Sequence, residues 1–376
     1  MDILLHYFDE YAGDRLYSHL HNPLRSLAAA KSESAQYLAQ LPFLDTLDRD
    51  SVIRQCLSLY VLTYIGIFIL YFSVAGFSYY FVFDHRMKQH PRFLPNQVKK
   101  EILFSLDAFP MLDLLTLPWF LGDVRGHSQL YDSVAEGPFG QQGGWKPWTY
   151  MAFSAALFLF FTDYCIYWIH RWLHIPFFYK RLHKPHHKWI VPTPFASHAF
   201  HPIDGYLQSV PYHFACYLFP IHKYLFIGLF TFVNLWSILI HDSDMLCGHA
   251  FEHYINGPAH HTLHHLYFTC NYGQYFTWAD KAGGSFRAPA KGDDPLEAVV
   301  KAIEKRKELE KHEQQQDVDQ AEVVRVTAIS QPSSVAQTPA SERDEDDLVD
   351  SGIGSEPSDD GSDESEVDPR VGKKQC

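Results

Sequence analysis

Apolar residues run through this chain in long blocks, and the blocks predict helices. Leu57 to Phe83 carries no charge, and at about 1.5 Å per helical residue it is long enough to cross a bilayer core of roughly 30 Å. A second block, Ile102 to Leu121, contains Asp107, Pro110 and Asp113, and a third, Tyr150 to Ile169, holds Asp163 as its one charge. The fourth, Tyr206 to Ile240, is too long for one ordinary span. Pro211, His213, Pro220, His222 and Lys223 interrupt it, which predicts a helical hairpin turning near Pro220 to Lys223. The expected fold class is all-α, a multi-span integral membrane protein.

Near residue 290 the pattern changes. From Asp293 to Gln316 a charged stretch carries Pro295 near its start, then Leu296-Glu297-Ala298-Val299-Val300-Lys301 and many Glu/Lys pairs, which predicts a helix. Beyond it Gln, Ser, Pro and acidic residues dominate, and such a segment cannot bury enough apolar area to fold. The expected organisation is an N-terminal region at 1–49, a membrane-spanning region at 50–290, a charged helix or linker at 291–314 and an acidic disordered tail at 315–376.

Charge sharpens this division. Between Glu342 and Asp368 there are 13 acidic residues and a single base, Arg343, and that segment nearly accounts for the whole-chain charge of −13. The rest is close to balanced, with no broad basic face and no nucleic-acid motif, so no nucleic-acid partner is expected. Lys and Arg cluster in the loop after the first block (Arg86, Lys88, Arg92, Lys99, Lys100) and again at Arg171, Lys180, Arg181, Lys184 and Lys188. The excess of basic residues in cytosolic loops places both segments on the cytosolic side and Gly122 to Trp148 on the other. The six cysteines show no paired spacing and read as reduced packing residues. Met1 to Arg15 holds no apolar run of signal-peptide length, so internal segments are expected to direct the chain to a membrane.

The candidate chemistry lies in three histidine clusters, His170-Arg171-Trp172-Leu173-His174, His183-Lys184-Pro185-His186-His187 and His261-Thr262-Leu263-His264-His265. Residues three and four apart share a helix face, so each box presents two or three imidazoles in one direction, all on the predicted cytosolic side. Eight imidazoles exceed the needs of one ion and indicate a two-metal centre with His170, His174, His183, His186, His187, His261, His264 and His265 as ligands. His241, at the end of the fourth block beside Asp242, is expected to complete the set. His198 and His201 remain open, as ligands or as groups that orient ligands, and His260 is expected to orient rather than ligate. His249 and His253 are read as lying in a loop, outside the site. Imidazole suits iron, zinc and copper alike. A redox-active pair could activate dioxygen for attack on an unactivated C–H bond, which ordinary acid–base side chains cannot accomplish.

The boxes resemble those of the membrane fatty acid hydroxylase/sterol desaturase superfamily. The words around them, His183-Lys184-Pro185-His186-His187-Lys188-Trp189, Ser197-His198-Ala199-Phe200-His201-Pro202-Ile203-Asp204-Gly205, Asn256-Gly257-Pro258-Ala259-His260 and Asn271-Tyr272-Gly273-Gln274-Tyr275-Phe276, are most similar to its sterol C5-desaturase branch. The resemblance covers roughly positions 50 to 288. It implies insertion of the C5–C6 double bond into a Δ7-sterol, with two iron ions, O2 as co-substrate and electrons from NAD(P)H through cytochrome b5 and its reductase. It also implies an endoplasmic reticulum location and a sterol substrate arriving from the bilayer, with Trp189, Phe195, Phe200 and Tyr206 as candidates for the pocket wall. Trp278-Ala279-Asp280-Lys281-Ala282 departs from the Trp-Asp-Arg common among relatives, which leaves local packing in question.

Two tail motifs add expectations. Lys373-Lys374 near the C-terminus fits a retrieval signal read by coat proteins, and Asp350-Ser351-Gly352-Ile353-Gly354-Ser355 fits a phosphorylation-controlled degron. The alternatives to C5-desaturation are a sister oxidation on the same scaffold, such as a sterol C4-methyl oxidase or fatty acid hydroxylase, and a non-catalytic membrane regulator that binds sterol or metal.

Overall fold

The computed structural model describes residues 1–19, 48–243, 245, 247–248 and 250–329. A short helix α1 (Asp2–Phe8) leads through a π-helical turn at Asp9–Gly13. Three helices long and apolar enough to cross a membrane then form the frame: α2 (Val52–Phe81), α3 (Gln97–Val124) and α4 (Lys146–Leu173). α2 is apolar on every side. Tyr71, Ala75 and Tyr79, four residues apart, are buried against its neighbours, while Val61, Ile65, Ile69 and Phe77 face outward. A helix with no polar face suits lipid surroundings.

α3 starts five residues before the apolar block that predicts it, because Gln97 and Glu101 are buried and hydrogen-bonded to each other at 2.7 Å. It continues through Pro110 and Pro118, as membrane helices do when neighbours cover the freed backbone groups. The predicted hairpin is present as α5 (Pro202–Leu218) and α6 (Lys223–Leu239). Its turn is the short strand β2 (Ile221–His222), which pairs in parallel with β1 (Leu130–Tyr131), Leu130 opposite Ile221. Each arm has 17 residues, about 25 Å of helix.

These elements bring the segments around the boxes to one end of the bundle. There Phe83 and Met87, after α2, pack with Val191 and Phe195, and Tyr71 donates to the Phe195 carbonyl at 2.9 Å. The β1–β2 pair closes the opposite end. Beyond the hairpin lie α7 (Pro258–Tyr267) and the short α8 (Trp278–Gly283).

The last described element is α9 (Pro295–Ile329). Helix continues past residue 314, where disorder was expected to begin: residues 315–329 contain neither Gly nor Pro, and Gln315 bonds to Asp319 one turn on at 2.8 Å. The chain divides into compact units at Ala302/Ile303. The first turns of α9 belong with the preceding region because Val299 is buried and Leu296 packs against the Tyr71–Phe195 core. In the second unit the described helix is exposed and carries an Arg306–Glu310 ion pair. The coat-protein signal, the degron motif and the acidic run fall outside the described residues.

Candidate metal centre and cavity

The first box closes α4, with His170 in its last turn and His174 as its capping residue. The third lies on α7, where His261, His264 and His265 share one face. The second box is not α-helical: a π-helical turn at Tyr179–His183 and a 3-10 turn at His186–Lys188 flank Pro185, which cannot supply an N–H to a continuing helix. Its three imidazoles nevertheless point to the same place. His241 joins them from just beyond α6.

The nine side chains sort into two groups. His170, His174, His183, His187 and His264 form one and His186, His241, His261 and His265 the other, with the ligating atoms of each group within 4.8 Å of one another. The groups adjoin, since the His187 and His265 ring centroids are 4.8 Å apart. In the first, His183 Nε2 lies 3.1 Å from both His170 Nε2 and His187 Nε2. In the second, His261 Nε2 lies 3.0 Å from His241 Nε2 and 3.2 Å from His265 Nε2.

What stands behind these rings fixes their tautomers. His170 Nδ1 meets the Tyr272 carbonyl at 3.0 Å, His264 Nδ1 the Cys270 carbonyl at 2.8 Å, His241 Nδ1 the Ser237 carbonyl at 2.6 Å and His183 Nδ1 the Asp204 carboxylate at 2.7 Å. Each oxygen only accepts, so each Nδ1 carries the hydrogen and each Nε2 turns its lone pair inward. Burial, reinforced by mutual repulsion among the imidazoles, holds His186, His187, His261, His264 and His265 well below the ordinary histidine range. Converging lone pairs repel unless a cation lies between them. Five and four nitrogens, without thiolate or carboxylate, fit two ions of the imidazole-binding kind.

Four buried acids that sequence reasoning left out of the site hold this arrangement. Asp204, at the start of α5, orients His183 and accepts from Gln208 at 2.8 Å. Asp163, inside α4, accepts the backbone N–H groups of Gln274, Tyr275 and Phe276 at 3.0, 2.7 and 3.2 Å. Asp280 accepts those of Tyr272 and Gly273, both at 2.8 Å. Together these two fix the loop whose Tyr272 carbonyl orients His170. They also explain the packing around Trp278 to Ala282, where Ala279 is buried with Tyr167 and Tyr272. Glu101 bonds to Thr193 in the loop joining the second box to α5. The available sequence signal was an acid inside an apolar run (Asp163) or inside a box-flanking word (Asp204).

The remaining histidines have other places. His201 caps α5, its Nδ1 accepting the Ile203 N–H at 3.2 Å. His260 is buried against Phe286, outside both groups. His253 lies beside Tyr254 and Phe286, and His249 is outside the described residues. His198 lines a cavity, and burial lowers its pKa to about 4.

That cavity, about 370 Å³, runs between α2, α3, α5 and α6 from His186, His241 and His261 toward Leu62 and Phe120. Of the four aromatic candidates for its wall, only Phe200 lines it. Trp189 and Phe195 are buried in side-chain clusters behind the site, and Tyr206 receives a hydrogen bond from Trp119 Nε1.

An all-helical frame with three potential spans and two histidine nests beside an apolar cavity defines a membrane-type, histidine-rich metal oxidoreductase. The chain belongs to the fatty acid hydroxylase family, whose pattern residues 155–285 match, and within that family to the sterol desaturases. A Delta(7)-sterol 5(6)-desaturase of Gibberella zeae is 48% identical over 318 residues, covering 81% of this chain and 95% of its own. One of Aspergillus fumigatus is 51% identical, covering 68% of this chain and 83% of its own. Human lathosterol oxidase is 50% identical over 69% of this chain and 85% of its own. No solved structure matches.

Proposed function

We propose that this protein is a sterol C5-desaturase, an O2-dependent oxidoreductase that converts a Δ7-sterol into the 5,7-diene. The observation that carries the reading is the two-group histidine nest at the end of an apolar cavity, in a chain about half identical to enzymes named for that reaction. Two iron ions bound by the five-nitrogen and four-nitrogen groups supply the dioxygen chemistry needed to break unactivated C–H bonds.

The chain's own residues do the rest. Carbonyls of Ser237, Cys270 and Tyr272 and the Asp204 carboxylate hold four of the rings with their lone pairs inward. The largely apolar cavity gives a sterol a path to His186, His241 and His261. Removing two hydrogens while O2 becomes two waters takes two electrons and two protons. The electrons are assigned to NAD(P)H by way of cytochrome b5 and its reductase, and the basic segments around Arg86 and Lys180 are exposed at the box end to meet an acidic donor. The protein is placed in the endoplasmic reticulum membrane as a multi-pass chain with its boxes on the cytosolic side. Excess Lys and Arg in the box-end loops support that side.

The test is sterol profiling of a C5-desaturase-deficient yeast expressing this chain beside His264→Ala. The 5,7-dienes are expected with the wild type and absent with the variant. Accumulation of Δ7-sterols despite good membrane expression of the wild type would sink the assignment and favour a sister oxidation.

A further inference from the structure

Polar side chains are spread along the cavity wall. Thr63, Asp113 and Thr116 lie away from the histidine nest, where Thr63 donates to Asp113 at 2.5 Å. Ser197, His198 and Asn234 lie beside it. Ser197 Oγ donates to the Pro194 carbonyl at 2.8 Å. His198 Nδ1 lies 3.0 Å from Ser197 Oγ, so Nε2 is the ring nitrogen left for a partner in the cavity.

Asn234 lines the same cavity and is a hydrogen-bond partner of that ring. Its amide gives one hydrogen to the Phe230 carbonyl at 2.7 Å and has a second to offer. Asn234, Ser237 and His241 follow one another at helical spacing along α6 and its end. The Phe200 ring stands 6.0 Å from His198 and 6.4 Å from His186. His198 and Asn234 share the cavity wall with His186, His241 and His261 of the four-nitrogen group.

A sterol is apolar apart from one hydroxyl, on C3, and C3 is two carbon–carbon bonds of about 1.5 Å each from C5. A sterol that turns C5 and C6 toward the nest must bring its hydroxyl to the same end. Buried there, the hydroxyl needs a partner for its hydrogen and another for its oxygen. Of the other two amides lining the cavity, Gln208 is already engaged with Asp204, and Gln274 belongs to the loop that Asp163 holds.

We infer that His198 and Asn234 form the subsite for the C3 hydroxyl, which comes between His198 Nε2 and the Asn234 amide in place of their own bond and donates to one while accepting from the other. The inference rests on the sterol-desaturase reading. It makes the protein selective for free sterols, because a steryl ester or ether has no hydrogen to give.

The experiment uses the full chain, iron-loaded, in lipid nanodiscs. It measures equilibrium binding of a radiolabelled Δ7-sterol and of its 3-methyl ether, with diene formation followed in the same samples. The wild type is expected to bind the free sterol about tenfold or more tightly over the ether, the discrimination lost when a buried polar pair is left unmatched. In His198→Leu and Asn234→Leu that ratio falls to near one, because binding of the free sterol drops to the level of the ether, while iron content stays as in the wild type. Should His198→Leu fail to accumulate, Asn234→Leu, on a different element, carries the test. Equal binding of both ligands by the wild type, or a ratio preserved in Asn234→Leu, would overturn the subsite. A wild type that prefers the free sterol but forms no diene with O2 and reductant would support the subsite and overturn the activity.

Discussion

At the scale of the residue, Asp204 shows how a side chain that touches no metal can govern one. It is buried with His183, and its second oxygen is taken by Gln208. Asp204→Asn puts a donor or a weaker acceptor where His183 Nδ1 needs an anion. Iron affinity is expected to fall by about tenfold or more, read as iron per chain across a chelator titration, with the helical circular-dichroism signal retained. The histidines also set an acid limit. Burial holds His241 at about 4 in the folded chain, against roughly 6.5 when unfolded. Between these values the unfolded chain binds protons that the folded chain refuses, so stability rises with pH across that window. Thermal unfolding of the metal-free protein should be level above about pH 6.5 and decline steadily toward pH 4. A flat profile across that range would show that these rings are hydrated.

At the scale of the element, the loop at residues 271–276 depends on a carboxylate from a different helix. Asp163→Ala strands three buried N–H groups and should cost ~3 kcal/mol, whereas Asp163→Asn keeps an acceptor and should cost less than half of that. Thermal denaturation in detergent would separate the two, and equal losses would mean that the N–H groups find other partners. This element also marks how far the sequence could be read. The long apolar helices, the hairpin turn at Pro220 to Lys223 and the nine converging histidines were legible because apolar runs and repeated spacing are local signals. The sorting into five and four was not, because His187 and His264 meet across 77 positions of chain and no spacing records it. Nor did pattern assign Asp163 or Glu101. A lone acid in an apolar run reads as an interruption until the backbone it holds is seen. The second box looked helical by spacing, and Pro185 made it two irregular turns instead.

At the scale of the whole molecule, the two histidine groups do not have the same surroundings. The cavity reaches His186, His241 and His261 of the four-nitrogen group but only His170 of the other. The five-nitrogen position has one more donor and less open space beside it. For two bound ions this asymmetry predicts an order of departure as well as a difference in affinity. A chelator added to the loaded protein should withdraw the metals in two phases, the first from the cavity side. Saturating sterol should slow the first phase and leave the second unchanged, followed by stopped-flow absorbance of the chelate. A single phase indifferent to sterol would mean that both ions leave by another route. If two phases appear, the substrate acts as a stopper for its own catalyst, and an idle enzyme in sterol-poor membrane ages faster than a working one.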